Sequence, residues 1–224
     1  MDERLWGILT DSFPKLLKYG IEVTVPLTVV SFALALVIAV IVALIQYGHV
    51  RVLSQLCRFY IWITRGTPLL VQLYIVFYGL PSIGVVLDAF PAAILVFGFN
   101  EGAYMAETIR GTLEGVSKGQ LEAGLCVGMT WPKIMWHVGL PQALRTAFPA
   151  LSNSLISMLK GTSLAATITV MEMFRQAQVI NGRVYESLGL YIEVALIYLI
   201  FCTILTWLQH RGEKRLSSYG GARA

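Results

Sequence analysis

Between Val23 and Gly48 the chain runs for 26 residues without a charged side chain. About 20 apolar residues cross the hydrocarbon core of a bilayer, where backbone amides must bond within their own segment, so this run predicts a membrane-spanning helix. The composition agrees. Of 224 residues, 56% are hydrophobic and 13% charged, with a mean hydropathy of +0.69, whereas a soluble domain carries roughly 25% charged residues. A soluble enzyme on a single anchor and a disordered chain are both excluded.

Four more spans are expected. The second covers Gly66 to Leu87, and the apolar run from Phe59 to Ile63 places its start ahead of Arg65. The third runs from Ala89 through Asn100 to Arg110 with Glu101 and Glu107 inside it, the fourth from Thr146 to Met171 interrupted by Lys160, and the fifth from about Leu188 to Leu208. The predicted fold is an all-α membrane protein of five transmembrane helices. Basic residues accumulate in cytoplasmic loops. Placing the C-terminus inside puts 12 of the 17 basic residues there: Arg51, Arg58 and Arg65, then Arg110, Lys118, Lys133, Arg145 and Lys160, then Arg211, Lys214, Arg215 and Arg223. The N-terminus is therefore expected outside.

Ahead of the first span, Leu5, Trp6, Ile8, Leu9, Phe13, Leu16 and Leu17 recur at helical spacing. Residues 1–22 are thus expected to form an amphipathic helix, either lying on the outer surface or packed against the bundle. The start, Met1-Asp2-Glu3-Arg4, lacks a basic n-region, so no cleaved signal peptide is expected. Residues 23–210 form the expected transmembrane unit and 211–224 a cytoplasmic tail. Cys57, Cys126 and Cys202 lie far apart, as do His49, His137 and His210, so neither a disulfide framework nor a metal site is expected. The net charge of +4 is read as loop topology and not as nucleic-acid binding.

The connection between the third and fourth spans, about 111–145, is far longer than the usual 4 to 6 residues. A short helix is expected over Lys118 to Val127, stopped by Gly128, with Thr130 capping a second short helix that has Pro132 in its first turn. The result is a compact knob on a glycine elbow. Ala123, Gly124 and Gly128 permit close approach, and Leu125, Met129 and Trp131 are suited to a partner's socket or to the underside of the bundle.

Two polar stripes lie within the spans. At 100 degrees per residue Asn100, Tyr104, Glu107 and Gly111 share one face of the third span, and Asn153, Ser157 and Lys160 share a face of the fourth. Charges in hydrocarbon are expensive and face a cavity or a partner. Counting along the helices brings Glu101 and Lys160 to similar depths. Asn100, Glu101, Tyr104, Ser157, Lys160 and Gln72 are accordingly the candidate residues of a path for a zwitterion, with mutual neutralisation and helix packing as the alternative roles. Glu107 and Arg110 are expected to pair within their helix.

Taken together, Glu122-Ala123-Gly124, Gly128, Val138 and Leu140-Pro141 resemble the EAA loop of the membrane subunits of binding-protein-dependent ABC importers. The family pattern is EAA, three residues, Gly, nine residues, Ile, any residue, Leu-Pro. Spacing matches throughout, with Gly124 standing for Ala and Val138 for Ile. The runs Arg65-Gly66-Thr67-Pro68-Leu69-Leu70-Val71-Gln72, Asn100 to Glu107, and Lys160-Gly161-Thr162-Ser163-Leu164 resemble the polar amino acid permeases of that superfamily, in many of which Asp stands at the position of Gly161. The likeness extends from about Thr24 to Leu208. Tyr78-Gly79-Leu80-Pro81 and Phe174-Arg175-Gln176-Ala177 look most like cystine or related permeases.

The resemblance implies a type I importer permease in a bacterial plasma membrane. Its coupling loop, through Glu122, Ala123, Gly124, Gly128, Leu140 and Pro141, would dock on a dimer of separate ABC ATP-binding subunits. It further implies a second permease, the same or similar, and an extracytoplasmic amino-acid-binding protein that reaches the outer loops, Pro81 to Asp88 and Met171 to Glu186. The sequence has no Gly-x-x-x-x-Gly-Lys-Ser/Thr loop, so ATP and Mg are expected on the partner and no cofactor on this chain. A self-contained carrier or channel is the alternative; it predicts internal repeats with broken helices, and the sequence shows no convincing repeat. An integral membrane enzyme would need a nucleophile with its base, or clustered metal ligands.

Overall fold

The computed structural model describes residues 3–48 and 51–218. His49, Arg223, Met1, Asp2 and the last six residues of the expected tail lie outside the described residues. Those described are almost all helical, with no β-strand among them.

The chain opens on a single rod, Glu3–Tyr47. Its first part is α1 (Glu3–Tyr19) and its second part α2 (Val25–Tyr47), joined by a π turn over Gly20–Thr24. The N-terminal amphipathic helix and the first span are thus continuous, where the sequence placed a boundary at 22. The cause of the π turn is Pro26. A proline inside a helix lacks an N–H and its ring collides with the carbonyl four residues back, and a widened turn relieves both. The same signature occurs twice more, as π turns over Ile75–Gly79 before Pro81 and over Met135–Gly139 before Pro141.

The second span departs from the single helix expected from before Arg65 to Leu87. It consists of α3 (Arg51–Gly66) and α4 (Leu69–Tyr74), the latter continuing through Ile83, and the two parts bend by 105°. Proline pushes the preceding residue out of the helical region, and Pro68 itself is extended, with ψ 137°. Gly66-Thr67-Pro68 therefore breaks the helix. After a turn in which Gly84 is left-handed, α5 (Ala89–Glu114) begins.

The inner connection holds one short helix, α6 (Lys118–Cys126). The chain then turns at Gly128, whose φ of +78° suits glycine. A second, separate short helix was expected. Instead α7 (Trp131–Ile134) runs through its π turn into α8 (Leu140–Gly161) and on through 3-10 turns to Ile168 as one element. Thr130 occupies the N-cap position, but its hydroxyl makes no capping bond. Thr169, at φ +70°, ends this element, and α9 (Met173–Val184) departs at 50°. α10 (Ser187–Ser218) extends as helix well beyond the Leu208 expected.

Among the described residues two helices, Glu3–Tyr47 and Ser187–Leu216, are long and apolar enough to cross a membrane, and up to four elements are if each bent pair counts as one. α5 is not among them although its 26 residues would reach about 39 Å at 1.5 Å per residue. Asn100, Glu101, Tyr104 and Glu107 dilute its apolar character. Its position compensates, because α5 packs against α2, α3, α4 and α8 at the centre of the bundle.

The most extensive seam is between α2 and α5. A Cβ on Gly98 would stand 2.6 Å from Leu34 Cδ2, and one on Gly102 would stand 3.0 Å from Ile38 Cγ2. Small residues let helix backbones approach closely where lipid offers no hydrophobic drive for association. A second, smaller core of Leu16, Met173, Ala177, Val194 and Ile197 ties α1, α9 and α10 together. Gly98→Ala should cost about 1–3 kcal/mol by overpacking, read as a lowered midpoint for thermal unfolding in detergent. Gly7→Ala, at an open position, should leave the midpoint unchanged.

Candidate coupling knob and polar faces

The knob stands on a packed base. Leu121 and Met129 lie against the main core, and Gly124 is buried, with Ile134 Cγ1 only 2.9 Å from where its Cβ would be. That contact explains why glycine occupies the third position of the Glu-Ala-Gly run. Met129 therefore faces inward, and not into a partner's socket as the sequence suggested. Opposite this base, Glu122 and Ala123 are exposed, as are Leu125 (59%) and Val127 (77%). Among the described residues Glu122 forms no ion pair. The knob thus offers a carboxylate amid apolar side chains.

Of the last two residues of the pattern, Leu140 does not reach the surface, whereas Pro141 is exposed. Leu140 is buried (4%), and Pro141 shapes the π turn by which α7 enters α8. In that turn Gly139 packs beside Met135 Sδ and Leu113 Cδ2, at 3.1 and 3.6 Å from its would-be Cβ. Glu122 and Ala123 thus lie on the exposed surface, while Gly124, Gly128, Leu140 and Pro141 give the knob its shape.

The polar residues of the spans divide into three groups. The first surrounds the break between α3 and α4. Breaking a helix frees its last carbonyls, and Gln72 recaptures them: its Nε2 donates to Thr64 O at 2.8 Å, to Thr67 O at 3.2 Å and to Thr67 Oγ1 at 2.8 Å. Its Oε1 accepts from Asn100 Nδ2 at 3.1 Å. Gln72 and Asn100 therefore staple the bend to α5. Further along the same face of α5, the Arg65 guanidinium lies 5.1 Å from the centre of the Tyr104 ring and 3.7 Å from Glu107 Oε2. Glu107 also meets Arg110 at 3.4 Å, the intrahelical pair expected from sequence.

Glu101 belongs to the second group. It faces Ser154 of α8. Lys160, expected at the same depth, forms no ion pair with Glu101. It lines instead a 580 Å³ groove between α8 and α10, with Ser163, Tyr198 and Cys202. The two residues had been matched for depth alone, and their helix faces differ. Ser154 follows the buried period of α8, Ala143, Ala147, Leu151 and Met158, so it points to α5. Asn153, Ser157 and Lys160 form the third group. All three are exposed and share one face of α8, with Lys160 at the groove toward α10.

Ser154 was missed from the sequence, although the buried period of α8 locates it. Glu172 was missed too. Wholly buried, it caps α9 by accepting from Phe174 N at 2.8 Å and Arg175 N at 2.6 Å, and it receives the Tyr198 hydroxyl at 3.0 Å. Its signal is weak in sequence, a single acid before Met173-Phe174. Among the described residues no group of three His, Cys, Asp or Glu is placed to hold a metal.

Residues 24–218 match the family of binding-protein-dependent transport system inner membrane components. An L-cystine transport system permease protein of Bacillus subtilis is 46% identical over 96% of this chain and 92% of its own length. An arginine transport system permease protein of the same organism is 33% identical over 89% of this chain and 91% of its own. A crystal structure of an amino acid ABC transporter superposes with a TM-score of 0.83 at 32% identity, covering 96% of this chain and 99% of the other. The methionine ABC transporter MetNI, in inward-facing form, shares the fold, with a TM-score of 0.70 at 18% identity and coverage of 96% of this chain and 99% of its own. The chain therefore belongs to the inner membrane components of binding-protein-dependent transport systems, and is an ABC importer permease subunit.

Proposed function

We propose that this permease forms half of a path for a polar amino acid and is driven through its knob by a dimer of ABC ATP-binding subunits, which hold the ATP and Mg. The observation that carries the reading is the knob itself. Glu122, Ala123, Leu125 and Val127 point outward, while Gly124, Ile134 and Met129 lock its base to the bundle. A rigid projection with an unpaired carboxylate and exposed apolar side chains suits a groove with a basic residue on a cytoplasmic partner. Similarity to permeases of cystine and arginine systems supports the substrate class.

In this reading α5 is also a span, third in chain order and bringing the number to five, its polar residues sheltered by the surrounding helices, and the N-terminus lies outside with the knob and the end of α10 in the cytoplasm. The segments 1–22, 23–210, about 111–145 and 211–224 keep the roles the sequence suggested: outer helix, transmembrane unit, coupling loop and tail. Asn153, Ser157 and Lys160 on an exposed face would be costly against lipid. A second permease, identical or similar, covers that face and closes the path between the two. An extracytoplasmic binding protein delivers the amino acid to the outer side, near α9. Ser157 and Lys160 reach the path directly. Tyr104, exposed beside Arg65, reaches it near the inner end of α5. Glu101, Asn100 and Gln72 border it from within the bundle.

Three variants test these assignments in proteoliposomes with the partner subunits. Glu122→Lys reverses the charge of the knob and should lower ATP-driven uptake at least tenfold, while the chain keeps its melting midpoint. Gly128→Asp imposes a side chain on a left-handed residue at a cost of roughly 1–2 kcal/mol and should uncouple uptake from hydrolysis. Full transport with both would refute the docking role. Glu101→Gln should depress substrate-stimulated hydrolysis; unchanged uptake and unchanged stimulation would remove Glu101 from the path.

A further inference from the structure

We infer that the rod Glu3–Tyr47 is the mechanical link between the outer docking side and the inner knob, with Thr24 and Gly48 as its positioning residues. The inference rests on the transporter reading above and adds a route to it.

The rod is an unbroken helical element of 45 residues, about 68 Å long at 1.5 Å per residue. At its outer end it holds α9 at both termini. Thr24 Oγ1 accepts from Met173 N at 3.3 Å where α9 begins, and Arg4 NH2 donates to Val184 O at 3.3 Å where α9 ends. Between these points Leu16 of the rod is buried with Met173 and Ala177 of α9, and Gly20 accommodates Phe201 of α10, with Phe201 Cε2 at 2.8 Å from a would-be Cβ. Ser12 also donates to the Glu193 carboxylate of α10. α9 is therefore strapped along the rod.

At its inner end the rod closes on Gly48, whose N–H donates to Leu44 O at 2.9 Å. The indole of Trp131, the first residue of α7, lies there, with Cη2 and Cζ2 at 3.5 and 3.6 Å from where a Gly48 Cβ would be. Gly48 is thus where the rod meets the knob. Along its length the rod is keyed to α5 at Gly98 and Gly102. A displacement of α9 on the outside, or of the knob on the inside, moves the same stiff element, which is the physical requirement for coupling between distant surfaces.

The experiment uses the whole complex of permease, ATPase and binding protein in proteoliposomes, reading basal hydrolysis and its stimulation by substrate-loaded binding protein. Thr24→Val removes the acceptor oxygen at nearly constant volume, Thr24→Ser keeps it, and Gly48→Leu drives a side chain against Trp131. Thr24→Val and Gly48→Leu should each lower stimulation at least about fivefold, the low end of ordinary coupling between sites, with copurification and basal hydrolysis unchanged, and Thr24→Ser should behave as wild type. Wild-type stimulation in both Thr24→Val and Gly48→Leu would overturn the inference. So would loss of assembly in Thr24→Val with normal assembly in Thr24→Ser, which would make the bond a folding contact. Failure of the wild-type complex to respond to any binding protein would instead refute the transporter reading.

Discussion

A backbone amide that leaves water must find its partner within the protein, and eight prolines make that demand hard to meet in this chain. Three of them, Pro26, Pro81 and Pro141, follow π turns that let the helix continue with a bulge. Pro68 instead breaks its helix, and the freed carbonyls of Thr64 and Thr67 are taken up by the side chain of Gln72. Because Gln72 also accepts from Asn100, repair of the break and attachment to the central helix are one network. The position of the second span, and with it the inner end of the polar face on α5, depends on that arrangement.

The bundle sorts its polar groups by what each helix face meets. Asn100, Tyr104 and Glu107 face α3 and α4, where Gln72 and Arg65 answer them. Glu101, one residue round the helix from Asn100, faces Ser154 of α8. Asn153 and Ser157 are exposed on α8, and Lys160 borders the groove toward α10. Groups that are satisfied internally hold the fold, and in the proposed reading the exposed face of α8 serves transport. The knob follows the same division, with Gly124 turned in and Glu122 turned out.

Much of this was legible in the sequence because it follows from spacing. The charge-free run from Val23, the glycine elbow at Gly128 and the helix at Lys118 all emerged where turn chemistry and apolar length placed them. What escaped was tertiary. The continuity of Glu3–Tyr47 was hidden because Glu22 ends the polar stretch ahead of the charge-free run, and the extended α7–α8 element because its apolar run begins only near Thr146; the proline after each π turn marks a distortion without saying that the helix continues through it. The bend at Pro68 was masked by an apolar run that continues across it. Glu101 and Lys160 were paired by depth alone, since counting residues gives height along a helix and says nothing of the neighbour each face meets.

The claim on which the account stands is that the outward face of the knob meets an ATP-binding subunit on the cytoplasmic side. A photoactivatable amino acid at Leu125, exposed on that face, would test it in native membranes, with mass spectrometry of whatever becomes covalently joined. The account predicts an adduct with an ABC ATP-binding subunit, lost when Glu122 is replaced by Lys. Adducts confined to copies of this chain, or formed with an extracytoplasmic protein, would contradict it.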